Sequence, residues 1–351
     1  MTEENVKTED NLKAVCFFPA DHWGCGFYRC MLPSIALCKQ GIPAHIMTID
    51  RIDVYNMAST LVVQRPADPS LLNLIEEANS NGIKTIVELD DNIWEVPEWN
   101  PSSPFWTSVR QTFFENTIKK CARAVTTTNT LATVLREFID DVVVVPNAIY
   151  DNKYIDFPSH LKTTATITVG WIGSAFHSKD TEIFTSLIPI MLDKYPEIGF
   201  LMMGEGPPRE LSGYSHRIMS LPFVEPIYYH QIINSFTIDI GLAPLLQCAF
   251  NRAKSPVKVI EYLYMKTFPI CSDIDPYSDI QKENEDSCLL VPTSEVRSGT
   301  VDDWMDRIDF CVKNIEMIRK KAAKGREYIL DKYNIESPKM VDIYRKAYFV
   351  D

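Results

Sequence analysis

Short runs of apolar and β-branched residues alternate along the chain with stretches whose apolar positions recur at helical spacing. In the first half these runs predict strands at Ala14–Phe18, Ala44–Thr48, Thr60–Gln64, Lys84–Leu89, Ala124–Thr127 and Val142–Val145. In the second half they predict strands at Thr166–Trp171, Phe200–Met203, Ile238–Ala243, Phe268–Ser272 and Cys288–Val291. Between them the spacing predicts helices such as Pro69–Asn79, Thr107–Cys121, Thr181–Lys194 and Val257–Met265. Strands alternating with helices of this length read as βαβ units in a parallel sheet. The pattern appears twice. It breaks over Pro146–His160, which is poor in periodicity and contains turn formers, and an interdomain linker is placed there. Near the end, Trp304, Ile308, Cys311, Ile315 and Ile318 keep helical spacing on a charged background. They predict one or two amphipathic helices over Asp303–Tyr333.

Length and composition fit this reading. A chain of 351 residues suits two domains of about 150 residues each. It holds no apolar run of the ~18 residues that would predict a membrane span, so no integral membrane association is expected. The opening MTEENVKTEDNLK is acidic and polar. It lacks the basic start and apolar stretch of a secretory signal and reads as a short disordered tail. Nine cysteines are scattered without metal or redox spacing, Cys25 and Cys30 being the closest pair. They read as reduced, mostly buried thiols of a cytoplasmic protein. The formal charge of −12 argues against a surface coated with positive charge for nucleic acid or anionic lipid. A local basic cleft remains compatible with it.

Four constellations carry candidate chemistry. After the first strand, Pro19–Arg29 (PADHWGCGFYR) places Gly24 and Gly26 between a strand and a helix. Glycines there let a ligand approach the backbone, and a helix start offers free N–H groups to an anion. The third glycine of a dinucleotide fingerprint is missing. Arg29 suits either a phosphate or a surface ion pair. Next, Asp90 and Asp91 close the run TIVELDD at a strand's C-terminal end, where open α/β sheets place ligands. A metal site would need oxygen ligands like these, and the plainer alternative is a turn or helix cap. Trp94, Trp99 and Trp106 follow and suit sugar rings, bases or core. The third segment, Gly170–Asp180, offers Gly173, His177 and Lys179 at a second strand–loop–helix junction. There His177 and Lys179 read either as phosphate contacts or as structural groups.

The fourth segment, Ala249–Tyr262 (AFNRAKSPVKVIEY), carries the most signal. It groups Arg252, Lys254 and Lys258 in an otherwise acidic chain. Ser255–Pro256 reads as a helix start, with serine as cap and proline at the first helical position. A helix N-terminus flanked by three cations is an anion site. Glu261, on the second turn, suits ribose hydroxyls, as acidic residues do in nucleotide folds. The plainer alternative is a surface helix with basic ends. Walker A, H-E-x-x-H, G-x-S-x-G and C-x-x-C patterns are all missing from the sequence.

This segment, with others in order along nearly the whole chain, resembles the retaining glycosyltransferases of family 4 and related GT-B enzymes. Gly24–Gly26 resembles the family's N-terminal glycine loop. Val145–Pro146–Asn147 resembles its I-P-N-G motif, with Ala148 for glycine. Val169–Asp180 resembles the first strand and loop of the donor domain. Met203–Gly206 resembles its G-x-G turn, and Phe223–Pro226, with Glu225, the loop that reads the base through backbone groups. Asp239–Pro244 and Asp275–Asp279 flank the signature, which is similar to a K-S-x-x-K-x-x-E-Y variant at Lys254–Tyr262. In the family's Glu-x7-Glu motif Glu261 takes the second place, and Ala253 stands at the first. The usual Arg and Lys of the donor-domain loop are also missing, with Ser174 and His177 nearby.

The resemblance implies an α/β GT-B fold of two Rossmann-like doubly wound domains facing a central cleft. An acceptor domain would span 1–148 with a returning helix at about 335–351, a linker 149–162, and a donor domain 163–334. It implies transfer of a sugar from a nucleoside-diphosphate sugar, UDP by default, with retention and with no cofactor or metal required. Gly24, Gly26, Arg29, Gly173, His177, Glu225, Arg252, Ser255, Lys258 and Glu261 would bind the donor. Arg252 or Lys254 would replace the missing diphosphate ligands, and Asp90, Asp91 and Lys254 would act at the reacting centre. A glycan, a small molecule or a hydroxylated cytosine of DNA, as in bacteriophage enzymes, is an acceptor class compatible with the sequence. A non-catalytic nucleotide-sugar binding protein is the alternative that Ala253 supports.

Overall fold

The computed structural model describes residues 14–47, 58–151 and 165–349. The N-terminal tail, Thr48 and most of the expected linker lie outside the described residues. The first sheet holds β1 (Ala14–Phe18), β2 (Ala44–Ile46), β3 (Ala58–Gln64), β4 (Lys84–Leu89), β5 (Arg123–Thr126) and β6 (Val142–Val144). The second holds β7 (Ile167–Gly173), β8 (Ile198–Gly204), β9 (Ile218–Pro222), β10 (Ile240–Ala243), β11 (Phe268–Ser272) and β12 (Leu289–Val291). Their orders are 2-1-3-4-5-6 and 12-11-10-7-8-9, and each adjacent pair runs parallel. These are two Rossmann-like doubly wound sheets.

The near-continuous apolar strands follow from burial on both faces. In β1, Ala14, Cys16 and Phe18 pack into one core layer, while Val15 and Phe17 pack into the layer on the other face. In β7, Ile167, Val169 and Trp171 face one layer and Ile172 the other. The strand β9 is a finding beyond the sequence reading. Its residues IMSLP form an edge, half-exposed along much of their length, so no unbroken apolar run marks it. All nine cysteines are free.

The expected amphipathic stretch forms two helices, Val301–Lys313 and Ile315–Tyr333. The final helix, Pro338–Tyr348, then packs Met340, Tyr344, Ala347 and Tyr348 into a core layer of the first sheet. The Tyr348 ring meets Phe17 edge-on at 5.1 Å. The two chain crossings lie side by side. Ile149 N donates to Tyr333 O at 2.8 Å and accepts, through its carbonyl, from Ile335 N at 3.0 Å. The C-terminal ends of both sets of strands converge on one cleft, the place where open α/β sheets bind ligands.

Candidate donor cleft

The cleft encloses about 240 Å³. On the first sheet's side it is lined by Gly24 and Tyr28 after β1, Asp90 and Asp91 after β4, Thr127 after β5 and Asn147 after β6. The loop after β1 is held by Asp21, whose carboxylate accepts from the amides of Trp23 (2.9 Å) and Gly26 (3.1 Å) and pairs with Arg65. Gly26 is required by this wrap: a Cβ there would lie 1.7 Å from the Asp21 carbonyl oxygen. Arg65 adopts a left-handed backbone with φ 46°, an uncommon state for a residue with a side chain. Its guanidinium also reaches Asp90, 3.8 Å away. Asp91 has its pKa raised above the ordinary carboxylate value, chiefly by burial. The Lys254 ammonium pulls the other way, Asp90 adds to the rise, and Arg65 opposes it.

The opposite wall comes from Gly173 at the end of β7, His177 after it, Phe223 and Val224 after β9, and the segment Lys254–Glu261. The helix Val257–Tyr264 begins on this wall. The Pro256 carbonyl takes the amides of Val259 and Ile260, which leaves those of Val257 and Lys258 at the helix start, and with the dipole these make a site for negative charge. The Lys254 ammonium lies 4.5 Å from the centre of the Phe250 ring. Lys258 stands 3.8 Å from Glu261 Oε2, and burial lowers its pKa while Glu261 opposes that fall. Glu261 is buried, its Oε1 accepting from the Tyr28 hydroxyl at 2.5 Å. Neither Glu261 Oε2 nor Ser255 Oγ has a hydrogen-bond partner.

His230 connects the walls. Its Nδ1 accepts from the Tyr150 amide at 3.0 Å, so its proton sits on Nε2, 3.0 Å from the Tyr28 oxygen. Burial pulls the His230 pKa down to about 3, which keeps the ring neutral. The bonds therefore run in one direction, from His230 Nε2–H to the Tyr28 oxygen and from the Tyr28 hydroxyl to Glu261.

Several residues singled out from sequence take other places. Arg29 is 1% exposed and bonds Glu88 at 2.6 Å, Val145 O at 2.7 Å and Asn147 Oδ1 at 2.9 Å. It braces the sheet under the cleft instead of facing a phosphate. Burial of Glu88, one strand-end away, demands such a partner. Arg252 is exposed, off the cleft lining, at the end of the one-turn helix Ala249–Arg252. That turn carries its side chain away while Lys254, two residues on, points in. Glu225 is the exposed residue before the helix Pro226–Asn234, and its neighbours Val224 and Pro226 line the cleft instead. Lys179 pairs with Glu182 at 2.7 Å on the surface.

Ser255 does not cap the helix. Pro256 holds the cap position and the helix begins one residue later, which leaves the serine hydroxyl on the cleft wall. His177 gives Nδ1 to the buried Asp180 at 3.1 Å. Its pKa is lowered first by burial, against the pull of Asp180. A neutral ring with Nδ1–H on a carboxylate offers a lone pair at Nε2, which suits a hydroxyl better than a phosphate oxygen. Trp94 and Trp106 pack against the core, Trp94 stacking on Phe138 at 4.9 Å. Ala253 is fully buried in a core layer of the first sheet, and its carbonyl accepts from Thr128 Oγ1 at 2.9 Å. A glutamate at that point would have to be buried between the domains.

Tyr28 and Arg65 were not foreseen. Arg65 follows directly on a predicted strand, so the rule that strand ends carry ligands could have found it. Tyr28 lies inside a five-residue π-helical segment, Phe27–Met31, whose altered phase has no sequence signature.

No family model matches the chain, and no curated protein matches it in sequence. Solved structures match its fold. HepE of Anabaena, in complex with UDP and glucose, superposes with a TM-score of 0.65 at 12% identity, covering 95% of this chain and 98% of that one. An alpha-glucosyltransferase in complex with UDP-glucose and DNA containing an abasic site gives 0.56 at 10% identity, covering 92% and 96%. TarM gives 0.57 at 16% identity, covering 81% of this chain. The chain spans about half the length of TarM, 54% of it being matched. The fold is thus the GT-B arrangement, two Rossmann-like domains about a cleft.

Proposed function

We propose that the protein is a retaining glycosyltransferase that moves a sugar from a nucleoside-diphosphate sugar to a hydroxyl. The observation that carries this reading is the wall Lys254–Glu261. It brings two lysines, an unbonded serine hydroxyl, a helix start and a half-satisfied buried carboxylate into one cleft. Lys254, Lys258 and the helix start would hold the diphosphate and stabilise the charge that grows on it as its bond to the sugar carbon breaks. Glu261 would take ribose hydroxyls. Asp91, on the facing wall, would accept the proton of the acceptor hydroxyl as that oxygen bonds the same face of the sugar carbon. UDP is the default nucleotide, in keeping with the UDP complexes of proteins sharing the fold. The two domains proposed from the sequence would close on the donor and exclude water.

Lys254→Ala is expected to weaken UDP binding by about 10–100-fold, the worth of one charge-assisted contact. The reading is tested by incubating the protein with a panel of nucleotide sugars and following nucleotide release. Release from one donor, faster with a matched acceptor, supports a transferase. Tight binding with no release from any donor would instead point to the non-catalytic alternative favoured by Ala253. Hydroxymethylated DNA belongs among the acceptors, since one protein of the same fold was captured on DNA.

A further inference from the structure

We propose that Tyr28 is a positioning residue that sets Glu261 for the ribose only when the two domains are closed. This rests on the nucleotide-sugar reading of the cleft. Tyr28 belongs to the first sheet's side and Glu261 to the second, 233 residues apart in sequence. Their 2.5 Å bond exists only while the walls are together. It occupies Oε1 and leaves Oε2 buried with no hydrogen bond, its nearest cation being the Lys258 ammonium at 3.8 Å. A buried carboxylate oxygen in that state is costly, and a ribose hydroxyl donating to it would satisfy it. The Tyr28 hydroxyl is itself oriented, because His230 supplies a donor and Tyr150, beside the domain crossing, fixes that ring. The π-helical turn over Phe27–Met31 aims Tyr28 at the cleft while Arg29, one residue on, points into the core. Such turns occur often at functional sites. The ring packs edge-on against Phe27 at 5.3 Å and His230 at 5.5 Å, so phenylalanine can replace it and remove the hydroxyl alone.

The test is a binding cycle by calorimetry. UDP and 2′,3′-dideoxy-UDP are titrated into the wild type and into Tyr28→Phe, with small-angle scattering of both proteins free of ligand. Loss of the ribose hydroxyls is expected to weaken binding to the wild type about 10-fold. In Tyr28→Phe that ratio is expected to shrink towards unity, with a larger radius of gyration in the free state. Equal ratios in the two proteins, with UDP still bound, would overturn the role of Tyr28 while leaving the nucleotide reading intact. Failure of the wild type to bind UDP at all would remove that reading and this proposal together.

Discussion

Asp91→Asn is expected to lower turnover by about 10³-fold, within the range for loss of a general base, while UDP affinity stays within about 2-fold. Asparagine keeps the size and polarity of the group but cannot take a proton. Burial and Asp90 raise the Asp91 pKa above its ordinary 3.8. The base form is needed, so wild-type activity should fall as pH drops through that raised value, higher than for a free aspartate. Asp91→Asn should lose this acid limb along with the activity. Steady-state kinetics across pH checks both. A variant that retains the limb, or loses affinity and turnover together, would place Asp91 in structure or donor binding instead.

Arg29→Met is expected to destabilise the fold by about 3–5 kcal/mol, the range for stripping the partner from a buried charge. Glu88 would remain inside the sheet without the cation that hydrogen-bonds it, keeping only the weaker pull of Arg65, and the carbonyl of Val145 and the side chain of Asn147 would lose their donor. Urea unfolding followed by circular dichroism reads the change. Arg29→Met with Glu88→Leu should recover much of the loss, because replacing both members of a buried pair by apolar groups is often neutral. A phosphate-binding arginine would behave otherwise, with normal stability and weakened nucleotide binding.

These two residues show how far sequence pattern reaches. The place of Asp91 on the cleft wall was readable because a strand end in a parallel sheet faces the ligand side whatever the partners are. Arg29 was misplaced because phosphate binding and a buried ion pair ask for the same side chain. Only Glu88 and Asn147, 59 and 118 residues away, decide between them. The strands were readable because both faces of each sheet are buried and the runs stay apolar. The edge strand β9 escaped for the opposite reason. Within the signature, Lys254, Lys258 and Glu261 reach the cleft while Arg252 does not. A one-turn helix ending at Arg252 sets that difference, and charge counting along the segment cannot see it. The Tyr28–Glu261 bond depends on the meeting of two domains, which no local pattern encodes.

The claim that the cleft holds a nucleoside diphosphate on the start of the helix Val257–Tyr264 meets its most direct test in calorimetric titration of UDP into the wild type, Lys254→Ala and Arg252→Ala. One-site binding by the wild type, weakened about 10–100-fold in Lys254→Ala and unchanged in Arg252→Ala, is the predicted result. Absence of UDP binding, or binding that depends on Arg252 and not on Lys254, would contradict it.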